Sequence, residues 1–235
     1  MDASQEDWSF LQAIRSSIVN AGDGNCAEAV SGHSRTTIFC RSISVLNSRR
    51  VIPVTIYGYL VLAVGWLGWM TPFFLIKRTG VNPQRVDRRA RWGIVLQGIG
   101  YSLLWQTRFW ERSTSGWQVF ASASLFSLAA VLSWSGARAL GRQWRFDAGL
   151  NRDHELIRSG PYRVVRHPLY ASMLCLLLGT GLLITPWPLL ALSVLPFLIG
   201  TEIRIRIEDQ LLASSFGDQF AAYRRATPAY IPFVR

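Results

Sequence analysis

Cysteine is scarce in this chain, with three in 235 residues. Cys26, Cys40 and Cys175 form no CxxC and stand at no zinc spacing from a histidine, so neither a disulfide framework nor a metal site is supported. Cys175 reads as a small apolar residue inside a membrane helix. Histidine is equally rare: His33 lies near the N-terminus, while His154 and His167 flank an arginine-rich loop, and the three make no metal cluster. The first fifty residues lack the basic start, apolar middle and small-residue cleavage site of a secretory signal. Their acidic Asp2, Glu6 and Asp7 also argue against a mitochondrial presequence. Rich in Ser, Asn and Gly, residues 1–50 read as a poorly ordered extension ahead of a membrane domain over 51–235. No internal repeat or low-complexity tract is present.

Acidic residues are also few, 14 against 25 Lys and Arg, which leaves a net charge of +11. A balance this basic fits nucleic acid or a membrane, and the placement of the arginines decides between them. Apolar residues make up half of the chain, and ten are tryptophan. Three long stretches carry almost no charge: Val54 to Ile76, Trp117 to Ala137 and Leu169 to Gly200. The arginines sit between them. Lys77, Arg78, Arg85, Arg88, Arg89 and Arg91 follow the first run, and Arg138, Arg142, Arg145, Arg152, Arg158, Arg163 and Arg166 follow the second. A weaker span, Gly93 to Phe109, returns the chain across the bilayer between these loops. By the positive-inside rule both loops face the cytoplasm. The partner implied is a lipid bilayer, not nucleic acid.

The first run is long enough to cross about 30 Å of hydrocarbon. In the second, Gln97 and Gln106 would be costly against lipid, so both are expected to face protein. Gly93, Gly98 and Gly100 would permit the close helix contact this needs. Pro186, Trp187 and Pro188 near the middle of the last run predict a helical hairpin with its tip there. From Thr201 the pattern becomes a helix with charges interleaved among Ile203, Ile207, Leu211, Leu212, Phe216, Phe220 and Tyr223, bent or broken at Gly217. The closing residues, from Thr227 and Pro228 to Pro232 and Phe233, are expected to pack as an extended tail. The fold class is therefore all-α: a multi-span helical membrane protein with about five transmembrane helices, including a C-terminal hairpin.

Two segments could carry chemistry. The first runs from His154 to Tyr170 and enters the hairpin directly, with Gly160 and Pro161 favouring a turn that lets its polar groups converge. It can equally be an interfacial loop held by lipid phosphates, with Tyr162 and Tyr170 as interface aromatics. The second is Arg204, Glu208 and Asp209, where four-residue spacing puts Arg204 and Glu208 on one helix face. An exposed pair of this kind is worth a few tenths of a kcal/mol, on the order of 0.5, yet charges beside a membrane hairpin are functional candidates.

Together the two segments resemble the isoprenylcysteine carboxyl methyltransferase family. The resemblance is carried by His154 to Ile157, Gly160 to Tyr162, Arg166 to Tyr170, Arg204 to Asp209, Phe216 with Gly217, and Ile231 with Pro232, in the family's order over roughly the last third of the chain. It implies that His154, Glu155, Leu156, Ile157, Tyr162, His167, Pro168, Leu169, Tyr170 and Glu208 surround S-adenosyl-L-methionine, and that Arg204 meets the substrate, with Arg204 and Glu208 as the reacting centre's own residues. Physical chemistry agrees with those roles. A carboxylate suits ribose hydroxyls or an ammonium, an arginine holds a carboxylate by two parallel bonds, and aromatics suit a sulfonium. Methyl transfer needs in-line positioning and desolvation more than an acid or base, so the lack of an acid–base dyad is no objection. The sequence departs from the family at Ser172, where Gly is usual, and at Asp209, where a second Glu is usual. Ser172 is expected to narrow the approach that Gly allows, changing the acceptor and not the cofactor.

The expected function is methyl transfer from S-adenosyl-L-methionine to a lipophilic or membrane-delivered carboxylate or thiol at the cytoplasmic membrane face. The competing expectations are a nicotinamide-dependent membrane reductase and a noncatalytic lipid-binding scaffold.

Overall fold

The computed structural model describes residues 56–76, 85–86, 88–106, 108, 114–141, 149–150 and 155–231. The expectation for residues 1–50 lies outside them. Among the described residues five α-helices follow one another: α1 (Ile56–Leu75), α2 (Ala90–Leu104), α3 (Gly116–Leu140), α4 (Pro168–Ile184) and α5 (Trp187–Ala226). A 3-10 turn, Gly160–Arg163, precedes α4. The loops after α1 and α3 meet in a two-residue antiparallel pairing, β1 (Arg85–Val86) with β2 (Gly149–Leu150), which leaves the molecule all-α in class. Helices α1, α3 and α5 are long and apolar enough to cross a membrane. Helix α4, of 17 residues, is apolar but shorter. Helix α2, of 15 residues, rises about 22 Å, short of the roughly 30 Å of hydrocarbon.

The main contacts pair α2 with α5, α3 with α4, and α1 with α3. The buried residues of α2 are Ala90, Gly93, Gln97, Gly100 and Leu104, a stripe at spacings of three and four. Small residues let its backbone close on α5. A Cβ placed on Gly93 would stand 2.6 Å from the Gly200 carbonyl, and one on Gly200 would stand 2.6 Å from the Gly93 carbonyl. Gln97 Nε2 donates to Thr201 Oγ1 at 2.9 Å, which places its amide in protein as expected. Gln106 departs from expectation. It lies just beyond α2, exposed, and its amide turns back to the Ser102 carbonyl at 3.0 Å, because the helix ends at Leu104 before Gln106 can join the buried stripe. Gly98 also faces open space and takes no part in the contact.

Across the molecule, Phe126 of α3 fills notches left by two glycines: a Cβ on Gly65 of α1 would meet its ring at 2.4 Å, and one on Gly179 of α4 at 3.0 Å. Hydrogen bonds between helices add direction to this apolar packing. Trp69 Nε1 donates to Ser172 Oγ at 3.0 Å, Trp66 Nε1 to Thr180 Oγ1 at 3.1 Å, and Tyr101 Oη to the Met173 carbonyl at 2.7 Å. Each provides a polar atom with a partner where no water is available. Outward positions carry Leu60, Val64, Leu67, Ile94, Val95, Phe120, Val131, Leu192 and Leu195, a surface suited to lipid.

The hairpin is as the proline pair predicts. Helix α4 ends on Thr185, Pro186 caps α5, and Thr185 Oγ1 donates to the Leu104 carbonyl at 2.9 Å, tying the tip to the end of α2. The second arm and the charged segment, expected as separate parts, form one helix of 40 residues interrupted only at Gly217 (φ 47°, ψ −123°). A positive φ of this kind is open to glycine at little cost.

Candidate functional site

Fusing the two segments into α5 puts Arg204, Glu208 and Asp209 below the membrane-type contacts, on the same helix. The loop leading to α4 is folded against them. Gly160, at φ 61°, and Pro161 open the 3-10 turn. Its Tyr162 is buried, and the Tyr162 carbonyl accepts from Tyr223 Oη of α5 at 2.5 Å. The turn delivers Arg166 and His167 to the start of α4. Their backbone N–H groups donate to the carbonyls of Pro228 (2.9 Å) and Ala229 (2.8 Å), while Arg166 Nε donates to the Thr227 carbonyl at 3.0 Å. The expected tail is thus bound to the loop by backbone pairing.

The side chains converge on one cluster. Nε2 of His167 lies 3.1 Å from Asp209 Oδ1, and Nδ1 lies 3.4 Å from Glu208 Oε2. Arg166 donates to Asp209 Oδ2, and Tyr170 Oη donates to Glu208 Oε1. Arg204 reaches Glu208 Oε1 at 3.8 Å and lies with its Cζ 5.2 Å from the Tyr170 ring centroid, a cation–π distance. Helix α2 supports the stem of Arg204, since a Cβ on Gly93 would meet its Cγ at 2.4 Å. Burial of the His167 ring disfavours its charge, but hydrogen bonds and charge from Asp209 and Glu208 outweigh that cost and hold it above the ordinary histidine value. Burial, with the nearby charge of Glu208, raises the Tyr162 phenol, so it stays protonated.

Of the residues singled out from the sequence, His167, Tyr170, Arg204 and Glu208 are brought into direct contact. Tyr162, within the turn, is buried and held through its carbonyl by Tyr223. Pro168 and Leu169 lie instead toward α3, where a Cβ on Gly136 would meet them at 3.5 and 3.2 Å. Glu155 is exposed and Leu156 and Ile157 are half-buried on the approach to the turn, while His154 lies outside the described residues. Ser172 is fully buried, donating to the Leu169 carbonyl and accepting from Trp69. The hydroxyl is therefore engaged with α1 and its own helix. Sequence reasoning placed Arg166 and Asp209 in the motifs but gave no partner to either, nor to Tyr223 or the tail carbonyls. The only local signal was adjacency: Arg166 beside His167 and Asp209 beside Glu208.

Residues 117–219 match the phospholipid methyltransferase family. That stretch takes in α3, the loop, α4 and α5 as far as Gln219, and so the whole charged cluster. The chain is 34% identical over 143 residues to a cobalt-zinc-cadmium resistance protein of Cupriavidus metallidurans, covering 60% of this chain and 62% of that one. It is 36% identical over 84 residues to protein-S-isoprenylcysteine O-methyltransferase of Schizosaccharomyces pombe, 36% of each chain. It is also 28% identical over 114 residues to protein-S-isoprenylcysteine O-methyltransferase B of Arabidopsis thaliana, 47% of this chain and 57% of that one. Over part of its length the chain is thus similar to phospholipid and isoprenylcysteine methyltransferases. The chain spans less than two thirds of the length of each of these relatives. Three helices long and apolar enough to cross a membrane, together with the similarity to membrane methyltransferases, support an integral membrane protein.

Proposed function

We propose that the chain is an S-adenosyl-L-methionine-dependent methyltransferase acting at the cytoplasmic membrane face on a lipophilic or membrane-delivered carboxylate or thiol. The observation that carries this is the convergence of His167 and Tyr170 from α4's N-terminus with Arg204 and Glu208 from α5. Residues 51–235 are the methyltransferase domain on this reading, with 154–235 its catalytic part.

The donor set fits the cofactor's chemistry. Glu208 keeps about a quarter of its side chain exposed beside the Tyr170 ring. A carboxylate next to an aromatic face suits the ammonium, the sulfonium or the ribose hydroxyls of S-adenosyl-L-methionine. His154, Glu155, Leu156, Ile157, Tyr162, His167, Pro168, Leu169, Tyr170 and Glu208 are the residues that would surround it, some of them by supporting the walls. When bound, the cofactor supplies a methyl group made electrophilic by its sulfonium. Arg204 is the substrate residue: its guanidinium can take a carboxylate in two parallel bonds and hold it in line. The low exposure of the Arg166, His167, Asp209 and Arg204 side chains would limit the water that competes with the acceptor.

The two basic loops pair through Arg85–Val86 and Gly149–Leu150, which supports a common side for both, and the positive-inside rule makes that side cytoplasmic. On α5 an open groove lined by Leu198, Ile199 and Ile203, with Glu202, Arg206 and Tyr230 as polar groups, offers an apolar surface near the cluster without being lined by its residues.

The test is transfer of a labelled methyl group from S-adenosyl-L-methionine to a membrane extract by the purified protein, with identification of the labelled product. Glu208→Ala should weaken cofactor binding, and Arg204→Ala should chiefly lower acceptor turnover. Affinity for NADPH without affinity for S-adenosyl-L-methionine would replace this function with a reductase. Binding of neither would leave a lipid-binding scaffold.

A further inference from the structure

Glu208 has a near neighbour that is more deeply buried than it is. Asp209 is 6% exposed at its side chain and receives Arg166 on Oδ2, His167 on Oδ1 and, at 3.7 Å on Oδ2, Arg224. The His167 ring, 8% exposed, therefore meets a carboxylate at each nitrogen. Both contacts are satisfied together only when both nitrogens carry protons, because a neutral imidazole has one donor and one acceptor. In that form the ring is one cation between two anions, and flipping it would break both contacts. The other groups facing this arrangement are Arg166 from the loop, Tyr170 from α4, and Arg204 and Arg224 from α5.

The two carboxylates divide these partners. Asp209 takes Arg166 and the far nitrogen of the ring, whereas Glu208 takes the near nitrogen and keeps its other oxygen toward Tyr170 and Arg204. Arg166 is itself fixed from three directions, by Asp209, by the Thr227 carbonyl and through its own N–H by the Pro228 carbonyl. A frame that cannot shift thus stands behind a carboxylate that is partly open.

We propose that Asp209 is a positioning residue: with Arg166 it locks the orientation of the His167 imidazolium, and through that ring it aims the Glu208 carboxylate. The purpose of Glu208 rests on the proposed function, but the lock itself does not. Nothing in the arrangement asks His167 to take a proton from a substrate, since both its nitrogens are committed. Asp209 acts through His167 in the way that outer carboxylates orient ligating histidines elsewhere.

The full chain in detergent micelles, labelled with 15N-histidine, provides the test, because only three histidines are present. The His167 signal is assigned by its loss in His167→Gln. In the wild type, both ring nitrogens should be protonated at neutral pH. Asp209→Asn should lower the midpoint of that titration by more than one pH unit, about a tenfold change in proton affinity, while Asp209→Glu should retain most of it. Calorimetry with S-adenosyl-L-methionine should show Asp209→Asn binding about tenfold more weakly, the loss of one charge-assisted contact, and Asp209→Glu near wild type. A neutral His167 tautomer in the wild type at neutral pH would overturn the lock. Wild-type titration and affinity in Asp209→Asn would overturn it as well. If the wild type binds no S-adenosyl-L-methionine, the proposed function fails, and the His167 titration still decides the role of Asp209.

Discussion

The two halves of α5 are held by different physics. From Trp187 to Thr201 the helix is fixed by shape: Phe197 is fully buried against Tyr101, Gly200 touches backbone on Gly93, and Gln97 to Thr201 is a single directed bond. From Arg204 to Tyr223 it is fixed by charge and by hydrogen bonds to the loop ahead of α4. The first half resists any change in volume, because close-packed backbone cannot yield. The second half also resists a change in proton count, because Glu208 and Asp209 are matched to cations.

The largest effect should come from emptying the shape-held half. Phe197→Ala should lower stability by about 3–5 kcal/mol, the range for removing a fully buried aromatic ring, measured by chemical or thermal unfolding in detergent. Gly200→Ala comes next. Its new methyl would lie 2.6 Å from the Gly93 carbonyl and 3.0 Å from the Gln97 nitrogen, and overpacking of this kind costs about 1–3 kcal/mol. A neutral or stabilising result would show that α2 and α5 can separate without loss.

The charge-held half should respond to pH instead. The His167 ring holds its proton more tightly in the folded chain than in the unfolded one. Its contribution is therefore complete below the unfolded value of about 6.5 and is lost as pH rises through the folded value. Each pH unit separating those two values is worth about 1.4 kcal/mol. The melting temperature should fall with rising pH in the wild type, and this slope should be absent in His167→Gln. A pH slope unchanged by that substitution would assign the effect elsewhere. Gln97→Leu should cost only about 0.6 kcal/mol, the average for an interhelical hydrogen bond in a membrane protein. Smallest of all, Arg206→Ala should change stability by less than about 0.5 kcal/mol, since its partner Glu202 is a surface pair with side chains 73% and 45% exposed.

Much of the fold was legible because its signals are local. The apolar runs located α1, α3 and the hairpin, the Pro186–Trp187–Pro188 sequence located the tip, and Gly217 marked the break in α5. Hydropathy also identified Gln97 as a residue that must face protein. It could not separate Gln97 from Gln106, because that difference depends on where α2 stops. Ser172 shows the same limit. As a missing glycine it is expected to shape the acceptor's approach, but its hydroxyl is held by Trp69, 103 positions away.

The site divides in the same way. Motif order and helical spacing were enough to gather His167, Tyr170, Arg204 and Glu208 as candidates. The partnership of Arg166 with Asp209, and the binding of Arg166 to the tail, involve residues 43 and 61 positions apart. Composition, hydropathy period and motif spacing thus determined an all-α membrane chain with a charged end to its last helix. Only the tertiary structure decided which carboxylate meets which cation, because several arginines and two adjacent acids allow many pairings, and the geometry of the turn, α5 and the tail selects one.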